Sequence, residues 1–192
     1  MNIGLFFGSF NPIHIGHLII ASYMLEEAEL DEIWFVVSPQ NPFKKGSDLM
    51  PQEDRLEMVQ IAVKNHTRLK ASDIEFSLDK PSYTIHTLEV LISKFPEHKF
   101  KIIMGSDNLV HFTKWKGYED ILNQAELLVY YRNGFTNEEL SSHPNIKMFD
   151  APVLNISATY IRDLLNKGKC IHYLVLPEVE EFLLNKNRAQ KN

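Results

Sequence analysis

The sequence has little of several features that mark special classes of protein. Its 192 residues include one cysteine, eight glycines and nine prolines. The single Cys170 cannot form a disulfide within the chain, and so little glycine and proline is untypical of fibrous or low-complexity proteins. Apolar runs such as 3–7 and 127–131 are strand-sized, far below the ~20 residues of a membrane helix. We therefore expect a globular protein without disulfides or membrane spans.

The N-terminus also lacks the pattern of a secretory signal. No basic segment there precedes an apolar run and a small-residue cleavage site. Together with the lone cysteine, this predicts a cytoplasmic protein in a reducing environment.

The sequence also has fewer basic than acidic residues. The chain has 20 Lys and Arg against 25 Asp and Glu, a formal net charge of −5. A broad basic surface for duplex DNA or RNA is therefore not expected, and we predict no nucleic-acid partner. A small polyanion stays compatible with this charge, because a few local cations and backbone N–H groups can hold phosphate.

The length and hydrophobic patterning favour one α/β domain. A chain of this length, 44% hydrophobic, can bury the core of a single domain. Short apolar runs typical of buried strands occur at 2–7, 32–38, 68–72, 99–104, 126–131 and 147–149. Helical patterns occur at 15–29, 53–64, 84–95, 158–166 and 178–185. The alternation predicts a single-domain, doubly wound parallel sheet over 1–185 and a short basic tail at 186–192.

The ten residues that follow the first strand carry the clearest functional pattern. The strand ends at Gly8, an Asn-Pro pair makes a turn, and a helix is predicted to begin near His14 or Ile15. His14 and His17 are three residues apart, so both project from the first helical turn, where free N–H groups and the positive dipole end also point. This pattern indicates a phosphate site. The structural alternative is a tight turn with two partly buried histidines, and the lack of a third ligand at suitable spacing disfavours a zinc site.

A second helix N-terminus with similar chemistry is predicted near residue 157. Ser157 is a good N-cap, and Gly168 is a plausible end for the helix. The Ser157 and Thr159 hydroxyls and the helix N–H groups could bind nucleotide phosphates, with Arg162 adding a bidentate contact. A plain capped helix would explain Ser157 alone.

These two segments together resemble the signatures of the nucleotidylyltransferase superfamily. GSFNPIHIGH at 8–17 resembles its (H/T)xGH motif, and ISATYIR at 156–162 resembles its ISSTxIR motif, with Ala158 in place of the second serine. Class I aminoacyl-tRNA synthetases share a HIGH-type motif, but this chain has no KMSKS-like loop and is too short for a synthetase. The resemblance implies a Rossmann-like fold of the nucleotidylyltransferase type.

Segments between the two signatures resemble the bacterial nicotinate-mononucleotide adenylyltransferase family. The segment SPQNPFKK at 38–45 resembles a Pro-Pro-His-Lys pattern, with Lys44 matching the family lysine and Phe43 replacing its histidine. PSYTIHTL at 81–88 matches a PSYTxxTL segment, in which Tyr83 and Thr84 face the carboxylate of the pyridine ring. A helix start capped by Ser82 would favour such a carboxylate over a neutral amide. Capping alone is the other interpretation of this segment.

Three further positions extend the resemblance. GSDNL at 105–109 resembles a GxDxL loop, in which Asp107 would hydrogen-bond ribose hydroxyls or help position the nucleotide. Trp115 matches a tryptophan that stacks on the pyridine ring, and Arg132 matches an arginine that follows the fifth strand. The structural alternatives are a helix cap for Asp107 and core packing for Trp115.

The resemblance implies adenylyl transfer from ATP to nicotinate mononucleotide, giving nicotinate adenine dinucleotide and pyrophosphate in NAD biosynthesis. Mg²⁺ would be bound with ATP, held by substrate and water and not by a protein metal site. The implied catalytic residues are His14, His17, Lys44 and Arg162. The implied ATP contacts are Gly8, Ser9, Phe10, Gly16, Asp107, Arg132, Ser157 and Thr159. The implied nicotinate-mononucleotide contacts are Asn11, Tyr83, Thr84 and Trp115.

Other functions on the same scaffold stay open at this point. Phosphopantetheine adenylyltransferases share both nucleotide signatures, but they usually have threonine where His14 stands and lack the PSYT segment. A nicotinamide-mononucleotide adenylyltransferase and a non-catalytic nucleotide sensor are the remaining alternatives. Of macromolecular partners we expect neither nucleic acid nor membrane, and we leave a homo-oligomer open.

Overall fold

A computed structural model of the chain describes residues 1–40, 49–135 and 137–189. These residues form one six-stranded sheet in the order β3-β2-β1-β4-β5-β6, and every neighbouring pair of strands is parallel. The strands are Asn2–Gly8 (β1), Glu32–Val37 (β2), Leu69–Ser72 (β3), Lys99–Gly105 (β4), Glu126–Tyr130 (β5) and Ile146–Phe149 (β6). This is the strand order of the doubly wound Rossmann type.

Helices connect the strands and close both faces of the sheet. They are Ile15–Glu27 (α1), Gln52–Val63 (α2), Thr84–Lys94 (α3), Ser106–Leu109 (α4), Tyr118–Gln124 (α5), Glu138–Ser141 (α6), Ala158–Asn166 (α7) and Pro177–Ala189 (α8). Two short 3-10 turns occur at Ile74–Ser77 and Phe112–Lys114. Within the described ranges, no helix combines the length and apolar character needed to cross a membrane.

The apolar strands produce two separate hydrophobic cores, one on each face of the sheet. Side chains of α1, α2, α7 and α8 pack around Phe6, Phe35 and Leu128 on one face. Side chains of α3, α4 and α5 pack around Leu5 and Ile102 on the other. Adjacent residues Leu5 and Phe6 of β1 thus face opposite cores, as strand geometry requires. Burial on both faces explains why these strands are continuous apolar runs.

The predicted fold class is confirmed, and most boundaries differ by one or two residues. The helix predicted at 158–166 has those bounds in the structure. The sequence patterns missed α4, α5 and α6, which are only four to seven residues long. Helix α8 continues to Ala189, beyond the predicted helix end at residue 185. The division into a domain at 1–185 and a tail therefore stays a prediction.

The topology brings the functional segments together at one edge of the sheet. All strands are parallel, so their carboxyl ends lie on the same side, and the connections leave β1 and β4 in opposite directions. In sheets of this kind the crevice between two such strands is the usual ligand site. The first functional loop leaves β1 at Gly8, and the Asp107 segment leaves β4 at Gly105.

Candidate functional site

A cleft of about 1200 Å³ opens at the carboxyl edge of the sheet. It is lined by the ends of β1, β4 and β5, by the starts of α1, α3 and α7, and by the loop before α7. All predicted site residues within the described ranges line this cleft: Gly8, Ser9, Phe10, Asn11, His14, Gly16, His17, Tyr83, Thr84, Asp107, Trp115, Arg132, Ser157, Thr159 and Arg162. Lys44 and Phe43 lie outside the described residues.

The two histidines form a stacked pair at the start of α1. His14 is the N-cap residue, and its backbone N–H donates to Nδ1 of His17 over 3.2 Å. The rings are 3.7 Å apart between centroids, with planes 24° from parallel. Because Nδ1 of His17 accepts a hydrogen bond, a neutral His17 ring carries its proton on Nε2. Nε2–H is then the hydrogen-bond donor of the ring.

His14 is held in its neutral form. Burial, and secondarily the charge of Arg132, lower the pKa of His14 from 6.5 to about 4. Its Nδ1 atom is buried and has no hydrogen-bond partner within the described part of the chain. A buried polar atom without a partner is costly, so His14 is suited to bind a polar group that enters the cleft.

Gly16 and Gly8 lie so close to the rings of His14 and Phe10 that a side chain at either position would collide with them. A Cβ atom on Gly16 would lie 3.0 Å from Nδ1 of His14, and one on Gly8 would lie 2.7 Å from the ring of Phe10. Phe10 itself is 2% exposed, and its ring packs edge-on against His17 and Phe35 at 5.1 and 5.5 Å. The ring of Phe10 therefore packs against His17, and the contact of Phe10 with ATP stays a prediction.

The start of α7 is joined to the first loop by Arg162. Ser157 caps the helix as predicted, accepting a hydrogen bond from the backbone N–H of Tyr160 over 3.2 Å. Arg162 donates from Nη1 to the carbonyl of Asn11 over 2.7 Å and from Nη2 to the Thr159 hydroxyl over 3.3 Å. The guanidinium is thus oriented at the edge of the cleft by two elements that are far apart in sequence.

Asp107 and Arg132 form an ion pair in the cleft. Nη1 of Arg132 lies 3.2 Å from Oδ2 of Asp107, and the backbone N–H of Arg132 donates to the hydroxyl of Ser106 over 2.9 Å. The capping alternative for Asp107 is wrong, because Gly105 is the N-cap residue of α4 and no side chain caps this helix. The pair places one acceptor and one cation beside the histidines.

The far end of the cleft is formed by the start of α3. The prediction that Ser82 caps this helix is wrong: the N-cap residue is Tyr83, and no side chain caps the helix. The Ser82 hydroxyl donates instead to Oε2 of the buried Glu75 over 2.8 Å. Trp115 is half-buried and contacts the ring of Phe112 at 5.4 Å, so it is partly a packing residue as well as a lining one.

Lys116 is a lining residue that sequence analysis missed. Its Nζ atom lies 4.7 Å from the centroid of the Tyr83 ring, a cation–π contact at the α3 end of the cleft. The signal was present in the sequence, because Lys114 and Lys116 flank Trp115 directly. A cation beside an uncapped helix N-terminus can attract a carboxylate.

Arg55 is a second missed residue, and it acts beneath the site. It is 1% exposed and donates to four carbonyl oxygens: those of Ser9 and Ser38 at 2.7 Å, Pro39 at 2.9 Å and Met50 at 3.0 Å. Arg55 precedes Met58 by three residues and Val59 by four, so all three lie on the same face of a helix. Because Met58 and Val59 are buried, this spacing indicated that Arg55 lies on the inner face of α2. Arg55 holds the first loop, the end of β2 and the start of α2 together.

Comparisons with known proteins identify the family of this chain. A model of the cytidylyltransferase-like family matches residues 5–164, most of the chain. A probable nicotinate-nucleotide adenylyltransferase of Cytophaga hutchinsonii is 54% identical over 186 residues, 97% of this chain and 97% of that protein. One from Flavobacterium johnsoniae is 50% identical over 193 residues, covering both chains completely. The chain therefore belongs to the nicotinate-nucleotide adenylyltransferase family.

Solved structures show the same fold. A Plasmodium falciparum nicotinic acid mononucleotide adenylyltransferase complexed with NaAD aligns with a TM-score of 0.82 at 22% identity, over 100% of this chain and 98% of that one. The same protein complexed with APC aligns with a TM-score of 0.81. At this identity the likeness concerns the fold, and the chemistry has to be argued from the side chains.

Proposed function

We propose that this protein transfers the adenylyl group of ATP to nicotinate mononucleotide, giving nicotinate adenine dinucleotide and pyrophosphate in NAD biosynthesis. The observation that carries the proposal is a single cleft with two different ends. One end has two stacked histidines and a guanidinium at helix starts, and the other has aromatic residues at an uncapped helix start. A dinucleotide product with one aromatic acid group and a central pyrophosphate matches both ends. The names of the close relatives support the same assignment.

The reaction needs positioning and charge neutralisation more than proton transfer. The phosphate of nicotinate mononucleotide attacks the α-phosphorus of ATP in line. A new P–O bond forms as the bond between the α-phosphorus and the bridging oxygen breaks, and pyrophosphate leaves with that oxygen. Because the attacking phosphate is ionised at neutral pH, no general base is required.

His14, His17, Lys44 and Arg162 are the proposed catalytic residues. The Nε2–H of His17 and the neutral ring of His14 would donate hydrogen bonds to α-phosphoryl oxygens as charge develops there. Arg162, oriented by Asn11 and Thr159, would neutralise the departing pyrophosphate. Lys44 would add a point charge to the same phosphates.

The remaining nucleotide contacts follow from the cleft lining. Backbone groups of Gly8, Ser9 and Phe10 would approach the phosphates after β1, with Gly16 leaving space beside His14. Ser157 and Thr159 would bind phosphate at the start of α7. Asp107 would accept hydrogen bonds from ribose hydroxyls, and Arg132 would contact phosphate.

The nicotinate group would occupy the other end. Trp115 would stack on the pyridine ring. Backbone N–H groups at Tyr83 and Thr84, together with the Thr84 hydroxyl, would receive the carboxylate, since an uncapped helix start favours an anion over a neutral amide. Asn11, 2% exposed between the two ends, would position the mononucleotide.

We expect Mg²⁺ to enter with ATP. No group of three or more His, Cys, Asp or Glu side chains in the described ranges is arranged to hold a metal ion. Phosphate oxygens and water are the fitting ligands for this hard cation. When bound, it would neutralise charge on the triphosphate.

A substrate panel tests the proposed function. Pyrophosphate release from ATP is measured with nicotinate mononucleotide, nicotinamide mononucleotide and phosphopantetheine as acceptors. We expect kcat/KM for the nicotinate substrate to exceed that for the amide by about tenfold or more, from the interaction of its charge with the helix start. Equal values would contradict the proposed carboxylate site. Turnover of phosphopantetheine alone would establish the rival enzyme, and ATP binding without any turnover would establish a sensor.

Two further expectations accompany the proposal. We propose a cytoplasmic enzyme, because a chain with one cysteine cannot form an internal disulfide and suits a reducing compartment. A homo-oligomer stays open, and sedimentation of the purified protein would establish its oligomeric state.

A further inference from the structure

Arg55 is a buried cation beneath the phosphate end of the cleft. It lies near the start of α2 and is 1% exposed. Its four hydrogen-bond acceptors are main-chain carbonyl oxygens, and none of them is a carboxylate. An arginine at this depth is rare unless an acidic side chain pairs with it, so its position calls for an explanation.

The acceptors of Arg55 belong to three segments that meet below the cleft. Nη1 donates to the carbonyl of Ser9 in the first loop and to that of Ser38 just after β2. Nη2 donates to Pro39, and Nε donates to Met50 just before α2. A guanidinium presents five N–H groups in one fixed plane, whereas a lysine has three donors on a single nitrogen at the end of a flexible stem. The Arg55 side chain therefore fixes the separations of these segments in a way that lysine could not.

A chain of hydrogen bonds leads from Arg55 to Arg162. The carbonyl of Met50 accepts from Arg55 over 3.0 Å, and the backbone N–H of Met50 donates to Oδ1 of Asn11 over 3.3 Å. The carbonyl of Asn11 accepts from Nη1 of Arg162 over 2.7 Å. Asn11 is 2% exposed, so packing holds it at the point where this chain meets Arg162. The bond from Arg55 to the carbonyl of Ser9 fixes the same loop directly.

We infer that Arg55 is a positioning residue for adenylyl transfer, which fixes Ser9 and Met50 so that the carbonyl of Asn11 orients Arg162 towards the phosphates. The inference rests on the proposed function, since Arg162 is the group proposed to neutralise the departing pyrophosphate. Arg55 itself is buried beneath the cleft lining and acts only through the residues that it holds.

A role in stability alone is the other interpretation of Arg55. Its hydrogen bonds also join α2 to the sheet, so its loss should destabilise the fold in either case. The two interpretations differ in their kinetics. If Arg55 acts through Arg162, the effects of substituting the two residues are not additive, whereas independent effects add.

The experiment compares Arg55→Lys, Arg162→Ala and the double variant with wild type. Arg55→Lys keeps the positive charge but loses the planar set of donors. We expect kcat with nicotinate mononucleotide to fall about tenfold, because a displaced group at the reacting phosphates slows the reaction, with KM for the mononucleotide changed by less than about threefold. In the Arg162→Ala background the same substitution should lower kcat by less than about threefold, because the side chain that Arg55 orients is already missing.

Binding of inorganic pyrophosphate gives a second measurement, which does not depend on the acceptor substrate. Calorimetry with the same four proteins reports the Kd for pyrophosphate. The Kd should rise about tenfold for Arg55→Lys, because Arg162 is no longer held in place. In the Arg162→Ala background it should change by less than about threefold.

Two controls separate positioning from general stability. Val59→Ala, at a buried residue of the same helix, should lower the melting temperature through lost packing but leave kcat within about twofold of wild type. Arg68→Lys, at a partly exposed arginine, should resemble wild type in both measurements. If Arg55→Lys does not fold, Asn11→Ala interrupts the same chain of hydrogen bonds at Met50 and replaces it in the comparison with Arg162→Ala.

The outcomes separate this inference from the proposed function. If wild type does not turn over nicotinate mononucleotide, the proposed function fails, and pyrophosphate binding still tests the role of Arg55. Normal kcat and normal pyrophosphate binding in Arg55→Lys would overturn that role. Equal losses in the wild-type and Arg162→Ala backgrounds would overturn the action through Arg162. A loss of kcat in Val59→Ala as large as that in Arg55→Lys would reduce Arg55 to a residue of general stability.

Discussion

The two ends of the cleft differ in the groups that they offer to an anion. At the proposed phosphate end, the groups that face the cleft are side chains: His14 and His17 stack on each other, and Arg162 donates a hydrogen bond to the carbonyl of Asn11. At the proposed nicotinate end, α3 begins without a side-chain cap, and we propose that its main-chain N–H groups bind the substrate carboxylate. We therefore propose that the first end stabilises charge that develops during the reaction, and that the second end binds a charge already present on the substrate.

This difference predicts different kinetic signatures for the two ends. Interactions that strengthen only in the transition state affect kcat, whereas interactions equal in ground and transition states affect KM. Variants at the phosphate end should therefore lower kcat, and variants at the nicotinate end should raise KM for the mononucleotide. A phosphate-end variant that changed only KM, or a nicotinate-end variant that changed only kcat, would contradict this expectation.

The largest effect is expected from His17→Ala. Loss of the Nε2–H donor at the transferring phosphoryl group should lower kcat by about 100-fold or more, with KM for nicotinate mononucleotide little changed. Steady-state kinetics with thermal melting as a check on folding would measure this. His111→Ala, at an exposed histidine that does not line the cleft, is the control. Near-normal kcat for His17→Ala would contradict the proposed chemistry.

A second prediction concerns the neutral state of His14. Its pKa is about 4 in the folded protein against 6.5 when exposed. Between these values the unfolded chain binds more protons, so stability present above about pH 6.5 is lost as the pH falls towards 4. Relative to His14→Asn, wild type should lose up to about 3 kcal/mol of unfolding free energy over this range. Urea denaturation at several pH values would measure it, and parallel pH profiles for the two proteins would contradict it.

The smallest effect is expected at Lys116. This lysine is exposed, so its interaction with a substrate carboxylate is screened by solvent. Lys116→Met should raise KM for nicotinate mononucleotide about two- to threefold at low salt, with kcat unchanged. The difference should shrink as salt is added. Lys99→Met is the control, because Lys99 lies at the end of β4 that is far from the cleft. A change in kcat for Lys116→Met would contradict the expected difference between the two ends.

Much of the fold and part of the site could be predicted because their signals are local. Alternating apolar strands and helices specify a doubly wound sheet, and burial on both faces accounts for the continuous apolar runs. The spacing of His14 and His17 places both rings on the first turn of a helix, and the structure stacks them there. Short elements such as α4 and α6 were missed because four residues carry no readable periodicity.

What the sequence by itself determined is the fold class, the edge of the sheet where the site lies and the residue types that line it. Only the tertiary structure decided which partners those residues take. Ser82 has the local pattern of a cap, yet Glu75 binds its hydroxyl. Arg162 is anchored by Asn11, 151 residues earlier in the chain. A polar side chain can form its hydrogen bond with a neighbour in sequence or with a residue far away in the chain. Which of the two forms depends on the atoms that packing brings near, and the sequence around the residue does not contain that information.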